Sequence, residues 1–162
     1  MIRLKTAVLL ATALQMGATV AGAKETDIQH LYDFGIAMGM SFQLQDDILD
    51  LYSDVEVFGK RHGGDIADNK KTYLYLKALE LASEKDRQRL AYLYTLRMDH
   101  DEEEKIEEVQ AIYDRLHVKE AVEQVIADYD RKAFEALAAV DLPEEKKIHL
   151  KTYAESLTGR KK

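Results

Sequence analysis

Residues 24–52 read KETDIQHLYDFGIAMGMSFQLQDDILDLY, a stretch without proline. Its apolar side chains recur at steps of three and four residues, which is the spacing of one helix face. They are Ile28, Leu31, Tyr32, Ile36, Met40, Leu44, Ile48 and Leu51. The stretch therefore predicts one long helix, from Lys24 or Glu25 to Leu51 or Tyr52.

Turn-forming residues are scarce in the rest of the chain as well. Its 162 residues include a single proline, Pro143, and seven of its eight glycines lie at or before Gly64. All-β proteins need turn residues about every 8–12 residues, and parallel α/β proteins need them at each strand–loop–helix connection. A chain of this length is large enough for one domain with a core. We therefore expect a single all-α region over residues 1–162.

The same reasoning places the other helices. We expect a loop over Asp54–Lys71, where three glycines interrupt the apolar period, and an N-cap at Ser83 with Asp86 at the capping-box spacing. The predicted helices cover 3–22, 72–82, 83–97, a segment that begins at the acidic run 99–104, 118–139, and a last segment from 141–143 to about 157.

Composition excludes several classes of protein. There is no cysteine, so disulfide scaffolds and thiolate metal sites are ruled out, and a reducing, cytoplasmic location is expected. Thirty acidic residues against 23 basic ones give a net charge of −7, which argues against a general nucleic-acid binder. Residues 1–23 have the layout of a secretory signal, but threonines and glycines dilute the apolar run, which is too short for a membrane span.

The most informative pattern is a stripe of carboxylates. On the predicted helix Gln43, Asp46, Asp47 and Asp50 share one face. Like charges at these spacings cost about 0.2–0.5 kcal/mol a pair in an isolated helix, and a hard divalent cation such as Mg²⁺ would offset that cost. A plain solvated acidic face is the alternative.

Basic residues in two other segments bear on this choice. The predicted loop contains Gly59-Lys60-Arg61, then Gly63-Gly64-Asp65, then Asn69-Lys70-Lys71, and the first helix begins with Lys5-Thr6. No Walker spacing is present, so phosphate binding would depend on lysines acting as point charges beside a metal. Together with the aspartates, these lysines predict a diphosphate–Mg²⁺ site.

The chain resembles the C-terminal half of the trans-isoprenyl diphosphate synthases in the order of its motifs. These are KT (5–6), FQLQDDILD (42–50), GKRHGGD (59–65) and NKKT (69–72). This is the polyprenyl synthetase family, which includes farnesyl and geranylgeranyl diphosphate synthases. The resemblance covers essentially the entire chain and implies an antiparallel helical bundle, the C-terminal part of the isoprenoid synthase fold. Terpene cyclases share that fold but usually carry a different second metal motif, so the sequence looks like a chain elongator.

The resemblance implies a reaction and a role for each motif residue. An allylic diphosphate is ionised with the help of Mg²⁺, and isopentenyl diphosphate attacks the carbocation with loss of a proton. Asp46 would ligate Mg²⁺ directly, while Asp47 and Asp50 would hold its waters or adjacent groups. The other implied roles are diphosphate binding by Lys5, Lys60 and Lys70, oxygen atoms near the carbocation from Thr6 and Gln43, and a pocket wall from Phe42.

The sequence also departs from the family pattern. The first aspartate-rich motif, which lies upstream of the KT segment in the family, is absent, as are the upstream residues that bind isopentenyl diphosphate and set product length. We therefore expect this chain to be the C-terminal portion of a longer protein, inactive alone and homodimeric in its complete form, as is typical of the family. Two alternatives remain open: a non-catalytic helical partner subunit, and a secreted helical protein with a removed leader.

Overall fold

The computed structural model describes residues 2–53, 62–96 and 101–158, and in these ranges the chain forms helices and no strands. A π-helical turn, Arg3–Ala7, leads into α1 (Val8–Val20), which is followed by α2 (Glu25–Tyr52). The later helices are α3 (Gly64–Ala67), α4 (Tyr73–Leu81), α5 (Glu84–Leu93), α6 (Glu102–Arg115), α7 (Val118–Ala139) and α8 (Glu144–Thr158). The all-α prediction is confirmed.

Most predicted helix boundaries are confirmed, and two are wrong. The Ser83 side chain accepts a hydrogen bond from the Asp86 amide at 3.2 Å, as the capping spacing predicts. That helix ends at Leu93 instead of Arg97, because the amides of Thr95 and Leu96 donate to carbonyls three residues earlier, those of Tyr92 and Leu93, instead of four. The predicted loop contains the short helix α3, which begins after Gly63 in the left-handed conformation. Residues 54–61 and 97 lie outside the described residues.

The chain divides into two compact units. The first comprises Met1–Gln43 and Val125–Lys161, and the second comprises residues 44–124. The division falls within α2 and within α7, so each of these helices contributes residues to both units.

In the first unit, α2 packs very closely against the π-turn and α1. A Cβ atom built on Gly39 would lie 2.4 Å from the Ala7 Cα, and one on Gly35 would lie 2.5 Å from the Ala11 Cα. Only glycine fits at such separations, because no side-chain rotation moves a backbone atom away. The two glycines and two alanines therefore set the distance between the helices.

The remaining core of this unit joins α2 to α7 and α8. Its buried members are Phe34, Ala37, Met38, Ala133, Leu137 and Ala154. The Ser41 hydroxyl, 1% exposed, donates a short hydrogen bond to the Asp130 carboxylate on α7. Burial raises the pKa of the Asp130 carboxyl, and the Ser41 hydrogen bond opposes part of that rise.

In the second unit, α3, α4 and α5 pack against α6. The Tyr75 and Tyr94 rings lie 4.1 Å apart, and the Tyr94 and Tyr113 hydroxyls share a buried hydrogen bond of 2.9 Å. The end of α2 is tied to α6 by a 2.7 Å hydrogen bond from the Tyr52 hydroxyl to Asp114.

The apolar face of α2 is buried in this unit, as the helical spacing of Leu44, Ile48 and Leu51 predicts. None of the described helices combines the length and the hydropathy that a membrane span requires.

Candidate functional site

Two of the predicted site residues meet in the first unit. The Thr6 hydroxyl in the π-turn donates a 3.0 Å hydrogen bond to the Gln43 side-chain oxygen on α2. The neighbouring contact of Ala7 with Gly39 brings the two backbones close enough for these short side chains to touch. Single π-turns within helices are frequent at functional sites. The arrangement groups two side-chain oxygen atoms, beside which Lys5 is exposed to solvent.

The three aspartates lie at the end of α2, in the second unit, and two of them hold the helices that follow. Asp47, 6% exposed, faces the first amide of α4, with 3.4 Å between its carboxylate and the Tyr73 nitrogen. The Asp50 carboxylate accepts a 2.9 Å hydrogen bond from the Asp65 amide in the first turn of α3. The Asp50 carbonyl also accepts the Gly63 amide at 2.8 Å. Negative charge is favourable at both helix N-termini.

Asp46 differs from its two neighbours. It is half-buried, and within the described parts of the chain its carboxylate makes no hydrogen bond or ion pair. Of the three aspartates, it is therefore the one whose oxygen atoms hold no other described segment in place.

The electrostatics of this cluster favour a cation. Burial raises the pKa of the Asp50 carboxyl above its ordinary value, and the negative charges of Asp65 and Asp46 add to the rise. The Asp65 amide and the Lys70 ammonium oppose it only in part. Carboxylate oxygens grouped in this way are the kind of ligand that a hard cation such as Mg²⁺ prefers.

The described residues nevertheless contain no group of three acidic or histidine side chains already arranged around a metal position. Mg²⁺ does not require one, since it is usually held by one or two carboxylates, several waters and substrate phosphate oxygens. The donor set here fits such a partial site and not an all-protein cage.

Of the three predicted diphosphate lysines, one lies in the second unit close to the aspartates. The Lys70 ammonium is 2.8 Å from Asp65 and 3.3 Å from Asp68, and it remains largely exposed. Its hydrogen bond to Asp65 raises the pKa of its ammonium, which therefore stays charged at neutral pH. Lys60 lies outside the described residues, and Lys5 belongs to the first unit.

Sequence patterns assigned no role to several residues that build this cluster. Asp65 links the other members, because its amide donates to Asp50 and its carboxylate binds Lys70. Asn69 and Lys105 join the segment after α3 to α6 through a 2.7 Å hydrogen bond. Asp65 and Asn69 lie in the motifs quoted above, whereas Lys105 lies in a strongly acidic helix and carries no sequence signal.

Comparison with known proteins finds relatives over most of this chain. A short chain isoprenyl diphosphate synthase of Methanothermobacter thermautotrophicus is 40% identical over 141 residues, which are 87% of this chain and 42% of that protein. A crystal structure of a geranylgeranyl pyrophosphate synthase superposes with a TM-score of 0.88 at 39% identity, covering 99% of this chain and 50% of the other. The structure of a geranylgeranyl pyrophosphate synthase of Corynebacterium glutamicum, in complex with isoprenyl diphosphate and magnesium, superposes with a TM-score of 0.85 at 30% identity. The superposition covers 98% of this chain and 45% of the other.

This chain thus spans about half the length, or less, of the relatives that it matches. The structural relatives share its helical fold over nearly all of its residues. The family model for polyprenyl synthetases matches residues 1–114, a range that contains the π-turn, the aspartate stripe and the lysines that follow it. On these grounds the chain belongs to the polyprenyl synthetase family.

Proposed function

We propose that this chain carries a metal- and diphosphate-binding part of an isoprenyl diphosphate synthase, one that joins an allylic diphosphate to isopentenyl diphosphate. The observation that carries the proposal is the division among the three aspartates. Asp47 and Asp50 hold the N-termini of α4 and α3, while Asp46 makes no such bond within the described residues. A purely solvated acidic face has no need of two carboxylates fixed in this way.

In this proposal Asp46 would ligate Mg²⁺ directly, and Asp47 and Asp50 would hold its waters or adjacent groups. Bound Mg²⁺ supplies the positive charge that stabilises the departing diphosphate. The two hydrogen-bonded carboxylates fix the last turns of α2 against the following helices, so that Asp46 is held in place before the substrate binds.

The lysines bind the diphosphate of the allylic substrate. Lys70 is positioned beside Asp65, and we assign the same task to Lys5 and Lys60. When the allylic C–O bond breaks, its electron pair leaves with the diphosphate. The ammonium groups stabilise the negative charge that accumulates there. The double bond of isopentenyl diphosphate then forms the new C–C bond to the carbocation, and a proton is lost.

Thr6 and Gln43 are assigned to the positive charge of the allylic carbocation. The Thr6 hydroxyl donates its proton to the Gln43 side-chain oxygen, so the pair presents oxygen atoms and no positive charge to an electron-poor carbon. An ammonium or guanidinium group in the same place would repel the carbocation. Phe42, half-buried and next to Gln43, is assigned to the apolar wall around the hydrocarbon.

For the complete protein we propose a longer polypeptide in which this chain is the C-terminal portion, homodimeric and cytoplasmic. The chain alone is then inactive, because the first aspartate-rich motif is not among its residues. The other candidate is a non-catalytic helical subunit of the same fold. Exposed apolar residues of the π-turn and α1 favour association in either case, namely Leu4, Leu9, Met16 and Val20.

Calorimetric titration of the 162-residue chain with inorganic pyrophosphate, with and without Mg²⁺, tests the site. Asp46→Ala is expected to weaken the Mg²⁺-dependent affinity by about tenfold or more. Asp33→Ala is the matched control, because Asp33 is an exposed aspartate on the same helix, where it accepts a hydrogen bond from Gln29. An unmodified chain that binds no pyrophosphate in Mg²⁺, or an Asp46→Ala variant that binds as the unmodified chain does, refutes the proposed site.

Intact-mass measurement of the protein from its native source distinguishes the two candidates. A heavier species that incorporates labelled isopentenyl diphosphate supports the synthase. A species of 162 residues without activity supports the helical subunit.

A further inference from the structure

Lys105 has an unusual environment for a lysine. It is 5% exposed, although it lies in the first turns of an acidic helix, α6. Its ammonium donates a 2.7 Å hydrogen bond to the Asn69 side-chain oxygen and a longer one, 3.4 Å, to the Ala67 carbonyl at the end of α3. The ammonium also lies 5.8 Å from the centre of the Tyr94 ring. Within the described residues no carboxylate lies at ion-pair distance from it.

Asn69, the partner of Lys105, has a backbone conformation that needs support. Its φ angle is +57°, in the left-handed region that asparagine adopts more readily than most residues but still at a cost. Both ends of its amide are used, since the oxygen accepts from Lys105 and the nitrogen donates a 2.8 Å hydrogen bond to the Leu96 carbonyl. The side chain is thus fixed from two directions, and the backbone with it.

The segment fixed in this way is the one that presents Lys70. Asn69 immediately precedes Lys70, whose amide donates to the Asp65 carbonyl at 2.8 Å. The Thr72 amide in turn donates to the Lys70 carbonyl at 2.9 Å, and Tyr73, the next residue, faces Asp47. A change in the Asn69 backbone would therefore redirect the Lys70 side chain.

Building on the proposed function, we propose that Lys105 is a positioning residue for diphosphate binding: it fixes Asn69, and through it the direction of Lys70. An ammonium buried with no carboxylate at ion-pair distance among the described residues is costly, and well-packed apolar side chains often replace buried charged groups without loss of stability. Packing alone therefore does not account for Lys105. Its hydrogen bonds to Asn69 and Ala67 do, because an apolar side chain makes neither.

The test replaces the ammonium and keeps the volume, in Lys105→Met. Lys147→Met is the control, because Lys147 is also 5% exposed and also donates to backbone carbonyls, those of Ala138 and Val140, in the other unit. Unlike Lys105, it also pairs with a carboxylate, that of Glu144 at 2.8 Å. Titration of the full chain with inorganic pyrophosphate in Mg²⁺ is expected to show an affinity about tenfold lower for Lys105→Met. The Lys147→Met variant is expected to bind as the unmodified chain does.

A double-mutant cycle separates positioning from a general loss of structure. If Lys105 acts through Lys70, then Lys105→Met causes little further loss of pyrophosphate affinity in a Lys70→Ala background. Unchanged affinity in Lys105→Met, or losses that multiply in the double variant, overturns the inference. No binding by the unmodified chain refutes the proposed site itself, which is a distinguishable result.

A second variant covers the case in which Lys105→Met does not fold. Asn69→Gly keeps the left-handed conformation accessible, since glycine adopts it without strain, but removes both side-chain hydrogen bonds. It is expected to lose pyrophosphate affinity to a similar extent. A folded Asn69→Gly variant with full affinity contradicts the inference.

Discussion

Replacing Gly39 by alanine is expected to force α2 away from the π-turn that carries Thr6. The new Cβ would lie 2.4 Å from the Ala7 Cα and 2.8 Å from the Ala7 Cβ. Ordinary contact between such atoms begins at about 3.5 Å, so the backbones must separate by roughly 1 Å. Because both obstructing atoms belong to the backbone or are attached directly to it, no rotamer change relieves the clash.

The expected change in the free energy of unfolding of Gly39→Ala is the difference between two opposing effects. Overpacking a close contact costs typically about 1–3 kcal/mol, and a contact with backbone belongs at the upper end of that range. Alanine regains about 1 kcal/mol over glycine as a helix former. The net expectation is a loss of about 2 kcal/mol in the free energy of unfolding, or a Tm lower by about 4–8 °C for a chain of this size.

Gly17→Ala is the control for this prediction. Gly17 lies in α1 and is exposed, and no described atom beyond its own stretch of helix lies within 4 Å of the place that an added Cβ would take, so alanine there is expected to raise stability by about 0.5–1 kcal/mol. Thermal and urea unfolding followed by circular dichroism measure both variants. A Gly39→Ala variant as stable as Gly17→Ala would refute the close approach of the two helices, and with it the explanation of the Thr6–Gln43 contact.

Two further predictions concern the contact of α2 with α7. Ser41→Ala is expected to lower the free energy of unfolding, measured in urea titrations, by about 1–2 kcal/mol, since it leaves the half-buried Asp130 carboxylate without the Ser41 donor. Ser156→Ala is the control, because it removes an exposed hydroxyl bonded to its own helix, and it is expected to change the free energy of unfolding little. Burial raises the pKa of the Asp130 carboxyl above its pKa in the unfolded chain. The protonated carboxyl therefore stabilises the folded chain fully below the unfolded pKa, and this stabilisation is lost as pH rises through the raised pKa. Urea midpoints measured from pH 3 upward are therefore expected to show Asp130→Asn gaining stability relative to the unmodified chain as pH rises through this interval, and a constant difference contradicts the assigned cause.

The aspartate stripe shows how far a helical pattern carries a functional prediction. The spacing of Asp46, Asp47 and Asp50 predicts that they share one face of α2 and suggests a hard cation as their ligand. It could not distinguish them from one another. That distinction depends on which backbone amides approach them, and those amides belong to Asp65 and Tyr73 in later helices.

The sequence by itself determined the helical class, most helix boundaries and the family, because the apolar period, the cap at Ser83 and the motif residues are local properties of the chain. Only the tertiary structure decided how closely the helices approach and which polar groups meet. Gly39 matters because Ala7 lies against it, and Lys105 matters because Asn69 accepts its hydrogen bond. Both contacts join residues more than thirty positions apart, where periodicity and propensity, which act over a few helical turns, carry no information.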